Sequence, residues 1–175
     1  LKIDAKKILT NFTIFAFLKN PFCMKHLLSS LLVLTLFISC SKDKETTGDY
    51  VAKNDKEITD YITKNNLTAQ KSNTGLYYII TEPGTGTQPT ASSNVTVAYK
   101  GYFSNGDVFD QSKPEGISFG LNQVIKGWTE GIPYFKTGGS AILLVPAHLG
   151  YGNNAVGPIP GGSVLIFDVK LISVN

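Results

Sequence analysis

The sequence predicts an α+β domain in which a mostly antiparallel sheet of about five strands wraps around one short helix. Three features carry that expectation. Five short runs rich in β-branched and aromatic residues follow one another after residue 73; a single stretch among them has helical spacing; and all 17 glycines fall after Cys40, as tight turns between short strands require.

Residues 74–81, Thr-Gly-Leu-Tyr-Tyr-Ile-Ile-Thr, form the first run, which stops where Glu82-Pro-Gly-Thr-Gly86 breaks any regular structure. In residues 95–100 Val95, Val97 and Tyr99 alternate onto one face. The pair Asn105-Gly106 is the strongest hairpin signal in the chain, and it leads into Val108-Phe-Asp110. Over residues 124–135, Val124, Trp128 and Ile132 share a helical face; Pro133 limits the regular part to the neighbourhood of Gly131, and Gly138-Gly139 ends the segment. Residues 141–145 are a short apolar strand closed by Pro146. The last strand, 164–174, sets Leu165, Phe167, Val169 and Leu171 against Ile166, Asp168 and Lys170.

Upstream the character differs. Residues 1–39 carry five lysines against one acid, a net +4, whereas residues 40–175 hold 11 lysines and 12 acids, so the formal +3 of the whole chain belongs to its leader. Met24-Lys25-His26 followed by the apolar run 27–38 reads as a signal peptide, too short to span a membrane. Ser39-Cys40 at its end resembles a bacterial lipobox, with Phe37 where the pattern prefers Leu, Val or Ile. Cys40 is then the lipidation site and an acylated anchor, the alternative being an ordinary secretory peptide with an incidental cysteine. Residues 1–23 precede a plausible start at Met24 and are read as an over-extended start. A flexible tether is expected over 40–52, whose lysine and acid pattern could also be an export address. A short helical extension follows over 53–73, with Ile58, Tyr61 and Ile62 on one side, Asn54 as its N-cap and Glu57 three residues later. The folded domain is 74–175.

Composition excludes several functions. The chain has no arginine and its body has no cationic excess, which argues against nucleic acid as a partner. Beyond residue 39 only Cys40 and His148 remain of their kinds, too few for a His/Cys metal cluster, a Ser-His-Asp triad or a Cys-His pair. No cofactor is implied.

Four segments carry the chemistry: Val97-Ala-Tyr-Lys-Gly-Tyr102, Gly106-Asp-Val-Phe-Asp110, Val124-Ile-Lys-Gly-Trp-Thr-Glu-Gly131, and Leu149-Gly-Tyr-Gly152 with Pro158-Ile-Pro-Gly-Gly-Ser-Val-Leu-Ile-Phe-Asp-Val169. In this order and spacing they resemble the FKBP-type peptidyl-prolyl cis-trans isomerases over residues 74–174. The resemblance implies an antiparallel half-barrel around the helix, with a proline-binding pocket between them. By position, Trp128 is implied as the pocket floor and Tyr99, Phe109, Val124, Ile125 and Phe167 as its walls. Asp110 and Tyr151 are implied as the catalytic pair, one beside the bound carbonyl and the other contacting substrate through its hydroxyl; the backbones of Ile125 and Ile159 are implied to meet the peptide. Ile117 stands at a wall where many members have phenylalanine, which alters the pocket that a macrolide ligand would enter. Spacing alone leaves Trp128 open to a pure core role and Asp110 to a turn role.

The implied substrates are proline-containing polypeptides, with exported proteins as folding clients, and the protein is read as a monomer anchored through Cys40 to the outer membrane of a Gram-negative envelope. Such chemistry needs no nucleophile. Amide resonance sets a barrier of about 18–20 kcal/mol, and a water-poor aromatic pocket disfavours the charge-separated planar amide relative to the twisted, less polar transition state. The alternative is a binding module or holdase that captures proline or apolar segments without turnover. Residues 153–157 leave no room for an inserted chaperone domain there.

Overall fold

The computed structural model describes residues 47–175, with side chains from Tyr50 onward. The leader, the Cys40 anchor and the first part of the expected tether lie outside the described residues.

Helix α1 spans Thr47–Lys64, and seven strands follow: β1 Gln70–Lys71, β2 Tyr77–Glu82, β3 Asn94–Tyr102, β4 Val108–Gln111, β5 Ile117–Gly120, β6 Ser140–Val145 and β7 Leu165–Val174. Helix α2, Lys126–Gly131, lies between β5 and β6, and a 3-10 turn at Ile132–Tyr134 takes Pro133 out of the α-helical part. All pairings are antiparallel, in the order β1-β2-β6-β7-β3-β4 with β5 also on β3. The expected α+β half-barrel around one short helix is what forms, with two strands more than the expected five.

Each of the five expected strands is present within a few residues of its expected ends. The two additional ones are β1, only two residues long, and β5, only four, both too short to display an alternating pattern. Strands β4 and β5 share one edge of β3: β4 pairs with Lys100–Tyr102 and β5 with Asn94–Val97. Ser112 fills the gap between them, its N–H donating to the Tyr99 carbonyl at 3.0 Å and its hydroxyl accepting from the Tyr99 N–H at 2.9 Å. The Asn105-Gly106 turn closes β3 onto β4 as expected, with Gly106 at φ +94°.

Side-chain alternation divides the apolar residues into two cores. On the concave face Leu165, Phe167, Val169 and Leu171 of β7 join Leu143 and Val145 of β6 and Trp128 and Ile132 from the α2 segment. On the convex face Ile58 of α1 packs with Tyr77, Leu144, Val164 and Ile166, with Tyr61 and Ile62 at its margin.

Helix α1 corrects two expectations. It begins at Thr47, inside the span read as tether, and Asn54 lies within it instead of capping it. The cause is the stripe itself: Asn54, Ile58, Tyr61 and Ile62 follow i, i+4, i+7, i+8 spacing, so Asn54 occupies a buried position of the same face and is 1% exposed. Among the described residues no helix is long and apolar enough to cross a membrane.

Candidate active site

The α2 segment places Trp128 against the concave sheet. Ile125 is the helix N-cap in extended backbone, and its carbonyl accepts from the N–H groups of Trp128 and Thr129 at 2.9 and 3.2 Å. This holds the first turn so that the indole faces β3 and β7.

Three rings surround that indole. Tyr99 meets it edge-on at 5.0 Å between centroids and 80°, Phe167 at 5.1 Å and 79°, and Phe119 is tilted at 5.4 Å and 40°. The Tyr99 and Phe167 pairs set ring edge against ring face, a favoured arrangement for aromatic pairs. Trp128 is 6% exposed, and its indole N–H is buried without a hydrogen-bond partner among the described residues. Above it lies a cavity of about 400 Å³, bordered by these rings, by Val124 and Ile125, and at the mouth by Ile117, Gln123 and Tyr151.

Seven of the ten expected pocket residues therefore border one space: Tyr99, Ile117, Val124, Ile125, Trp128, Tyr151 and Phe167. Ile117 and Tyr151 are the open side, 47% and 41% exposed. The Tyr151 hydroxyl makes no hydrogen bond to a described residue, and so is available to a ligand.

The other three sit differently. Phe109 stands behind the wall, edge-on to Phe167 at 5.6 Å and 87° and against Phe103 at 5.0 Å. Gly101 makes that stack fit, since a Cβ there would lie 2.6 Å from the Phe109 ring and 2.9 Å from Phe167. Ile159 is buried in the core that includes Trp128, but its backbone N–H and carbonyl pair with Val156 at 3.0 and 2.9 Å and it does not border the cavity. Asp110 is exposed and reaches the cavity through Tyr99, whose hydroxyl donates to Oδ2 at 2.5 Å; Oδ1 accepts from the Gln111 N–H at 2.8 Å. Burial raises the Tyr99 phenol above its ordinary range, and the Asp110 hydrogen bond and charge push it further the same way, so Tyr99 stays a donor.

Phe119 and Gln123 border the cavity without having been expected there. Phe119 had a signal: it alternates with Ile117, placing both on one face of any strand. Gln123 had none.

A larger hollow, about 520 Å³, lies across β3, β6 and β7, with Lys100, Lys113, Asp168 and Lys170 among its lining residues. It holds no cluster of rings, and the smaller aromatic cavity is the better chemical site. Among the described residues no group of three or more His, Cys, Asp or Glu side chains could hold a metal.

The family model for FKBP-type peptidyl-prolyl cis-trans isomerase matches residues 85–172, half of the chain. The FKBP-type isomerase FkpA of Buchnera aphidicola (subsp. Schizaphis graminum) is 44% identical over 108 residues, covering 60% of this chain and 43% of that protein. FkpA of Escherichia coli K12 is 45% identical over 106 residues, covering 59% and 39%. The chain thus spans less than half the length of these curated relatives. Among solved structures, Escherichia coli FkpA superimposes with a TM-score of 0.65 at 32% identity, covering all of this chain and 84% of that one. A peptidyl-prolyl isomerase from Pseudomonas syringae gives 0.65 at 29% identity, covering 74% and 96%. With its sheet, its ringed tryptophan and half its length in that pattern, this chain belongs to the FKBP-type peptidyl-prolyl cis-trans isomerase family.

Proposed function

We propose that this protein accelerates cis-trans isomerisation of Xaa-Pro bonds, taking the proline ring into the aromatic cavity over Trp128. The observation that carries this reading is that cavity: three rings and an indole line a space of about 400 Å³ whose mouth is bordered by the exposed Ile117, Gln123 and Tyr151. Its floor, the Trp128 indole, is only 6% exposed. A planar prolyl amide, with charge separated between oxygen and nitrogen, loses solvation there, while the twisted amide loses less, so the barrier falls.

In this reading the residues divide the work. Trp128, Tyr99, Phe119 and Phe167 hold the proline ring; Val124 and Ile125 border the peptide at the start of α2; Tyr151 offers its free hydroxyl to a substrate carbonyl. Asp110 fixes the Tyr99 ring through their hydrogen bond and sets a negative charge near the substrate carbonyl carbon. Phe109 and Ile159 support the walls. The same space is a candidate for a macrolide ligand, with the aliphatic Ile117 in place of a ring at one wall.

The finer reading places the activity in the cell envelope. Cys40, after an apolar run and a basic start, is proposed as an acylated anchor in the outer membrane of a Gram-negative bacterium, with exported polypeptides as clients and the protein acting as a monomer. That the named relatives include proteins of Gram-negative bacteria agrees with an envelope location.

Relaxation of a short Xaa-Pro peptide from its cis-enriched state, followed with and without the protein, tests the central claim. Acceleration that Tyr151→Phe reduces is expected. A rate no faster than buffer would remove the isomerase reading, and tight peptide binding without acceleration would leave capture in its place. For the anchor, Cys40→Ser should move the protein from membranes to the soluble fraction; retention on membranes sinks that claim.

A further inference from the structure

The loop between β6 and β7 carries Tyr151 at the cavity mouth and Ile159 in the core, and its two stems are joined by a closed circuit of hydrogen bonds. The Gly152 N–H donates to the Ala147 carbonyl at 2.7 Å, and the Gly162 N–H donates to the Gly152 carbonyl at 2.8 Å. Asn54 of α1 completes the ring: its Oδ1 accepts from the Ala147 N–H at 2.8 Å and its Nδ2 donates to the Gly162 carbonyl at 2.9 Å. Gly152, next to Tyr151, thus has both its backbone groups inside the circuit.

Two further facts single out Asn54. It is 1% exposed and, aromatic side chains aside, the sole buried polar side chain among the described residues, so neither stem can replace it with water without opening the helix contact. One turn earlier on α1, the Tyr50 ring lies directly against Gly162, which has φ +78° and where any Cβ would overlap that ring. The second stem is therefore shaped to receive α1. Both helix residues lie outside the 85–172 region that the family model matches.

We propose that Asn54 is a positioning residue for the active site: from α1 it closes the hydrogen-bond circuit that holds the Tyr151 loop over the cavity. Helix α1 is in consequence a working part of the site and not an appendage. This rests on the isomerase reading for its kinetic consequence, and on the circuit alone for its structural one.

The test uses the full chain with Asn54→Ala, Asn54→Asp and, as a reference for general destabilisation, Leu171→Ala in the concave core, at the end of β7 remote from the loop. Backbone hydrogen exchange at Ala147, Gly152 and Gly162 is read beside kcat and KM for an Xaa-Pro peptide. Asn54→Ala should speed exchange at all three amides and raise KM about fivefold, with kcat less affected. Asn54→Asp keeps the acceptor for Ala147 and loses the donor to Gly162, so it should fall between wild type and alanine; it also carries the test if the alanine variant does not fold. Leu171→Ala should lower the unfolding midpoint yet leave KM within about twofold.

Unchanged loop exchange and KM in Asn54→Ala overturns the proposal, as does an equal KM shift in Leu171→Ala. If the wild type shows no turnover, the isomerase reading fails separately. The affinity of the same peptide, measured by fluorescence of Trp128, then replaces KM, and an Asn54→Ala affinity equal to wild type overturns the positioning role.

Discussion

On the concave face of the sheet Trp128 is surrounded by Tyr99, Phe119 and Phe167 and borders open space; on the convex face Leu144 and Ile166 are closed over by Ile58 of α1. Both faces are drawn from the same alternating strands, and on β7 neighbours in sequence serve opposite sides, Ile166 the convex and Phe167 the concave. The difference lies in shape. Aliphatic residues under a helix interlock to fill their space, whereas stiff rings set edge to face around an indole leave a gap that their own geometry keeps them from filling. One face stores stability and the other keeps a vacancy.

Substitutions on the two faces should therefore separate stability from activity. The largest effect is expected for Trp128→Ala: kcat/KM for an Xaa-Pro peptide falls by about a hundredfold, and the urea unfolding free energy falls by about 3–5 kcal/mol because a large buried ring leaves a cavity. Ile166→Ala should cost about 2–5 kcal/mol in the same unfolding measurement, while kcat/KM of the folded protein stays within about twofold of wild type. An equal loss of activity in both would erase the distinction between the faces.

A smaller effect is expected at the joint between Tyr99 and Asp110. Tyr99→Phe keeps the ring and removes the hydroxyl donated to Asp110, at about 1 kcal/mol of stability. It also changes the alkaline limb of the stability curve. The folded phenol titrates above its ordinary 10.0, so the unfolded chain loses this proton first and stability falls as pH rises past that value; the variant should fall less steeply there. Measuring the urea midpoint between neutral pH and the alkaline limb checks the sign.

The smallest effect belongs to the convex side, where Lys71 and the Tyr77 hydroxyl both donate to Asp55 and hold its carboxyl below the ordinary 3.8. A depressed carboxyl stabilises the fold above its unfolded value and loses that contribution as pH falls through the folded one. Asp55→Asn should flatten the acid limb below about pH 4 and shift the neutral midpoint only slightly, since the pair is largely exposed.

How much of this was legible depended on how many residues each signal had to act through. Strand β7 is ten residues long and declared its two faces by alternation; β5 is four residues long, too short to read as a strand by itself, and only the i, i+2 spacing from Ile117 pointed to Phe119. Trp128 was legible only in the register of four segments, because a tryptophan on a helical face reads equally well as core. Asn54 misled because its residue type signals a helix start, while the partners that make it useful, Ala147 and Gly162, are about a hundred positions away. Asp110 was placed near the cavity, but that it acts through the Tyr99 hydroxyl required the fold of β3 against β4. Spacing reports what lies on one element; it is silent about contacts between elements that the chain brings together late.

The split edge of β3 has a consequence for a protein proposed to handle unfinished chains. A long bare strand edge is a template on which another extended polypeptide can add itself by backbone pairing. Here the outermost strands are β1, with two residues, and β4 and β5, with four each, set end to end across a gap that Ser112 seals. On that side of the sheet a client arriving in extended form meets two four-residue strands broken at Ser112, not one long row of backbone groups, so this edge is a poor template for strand addition.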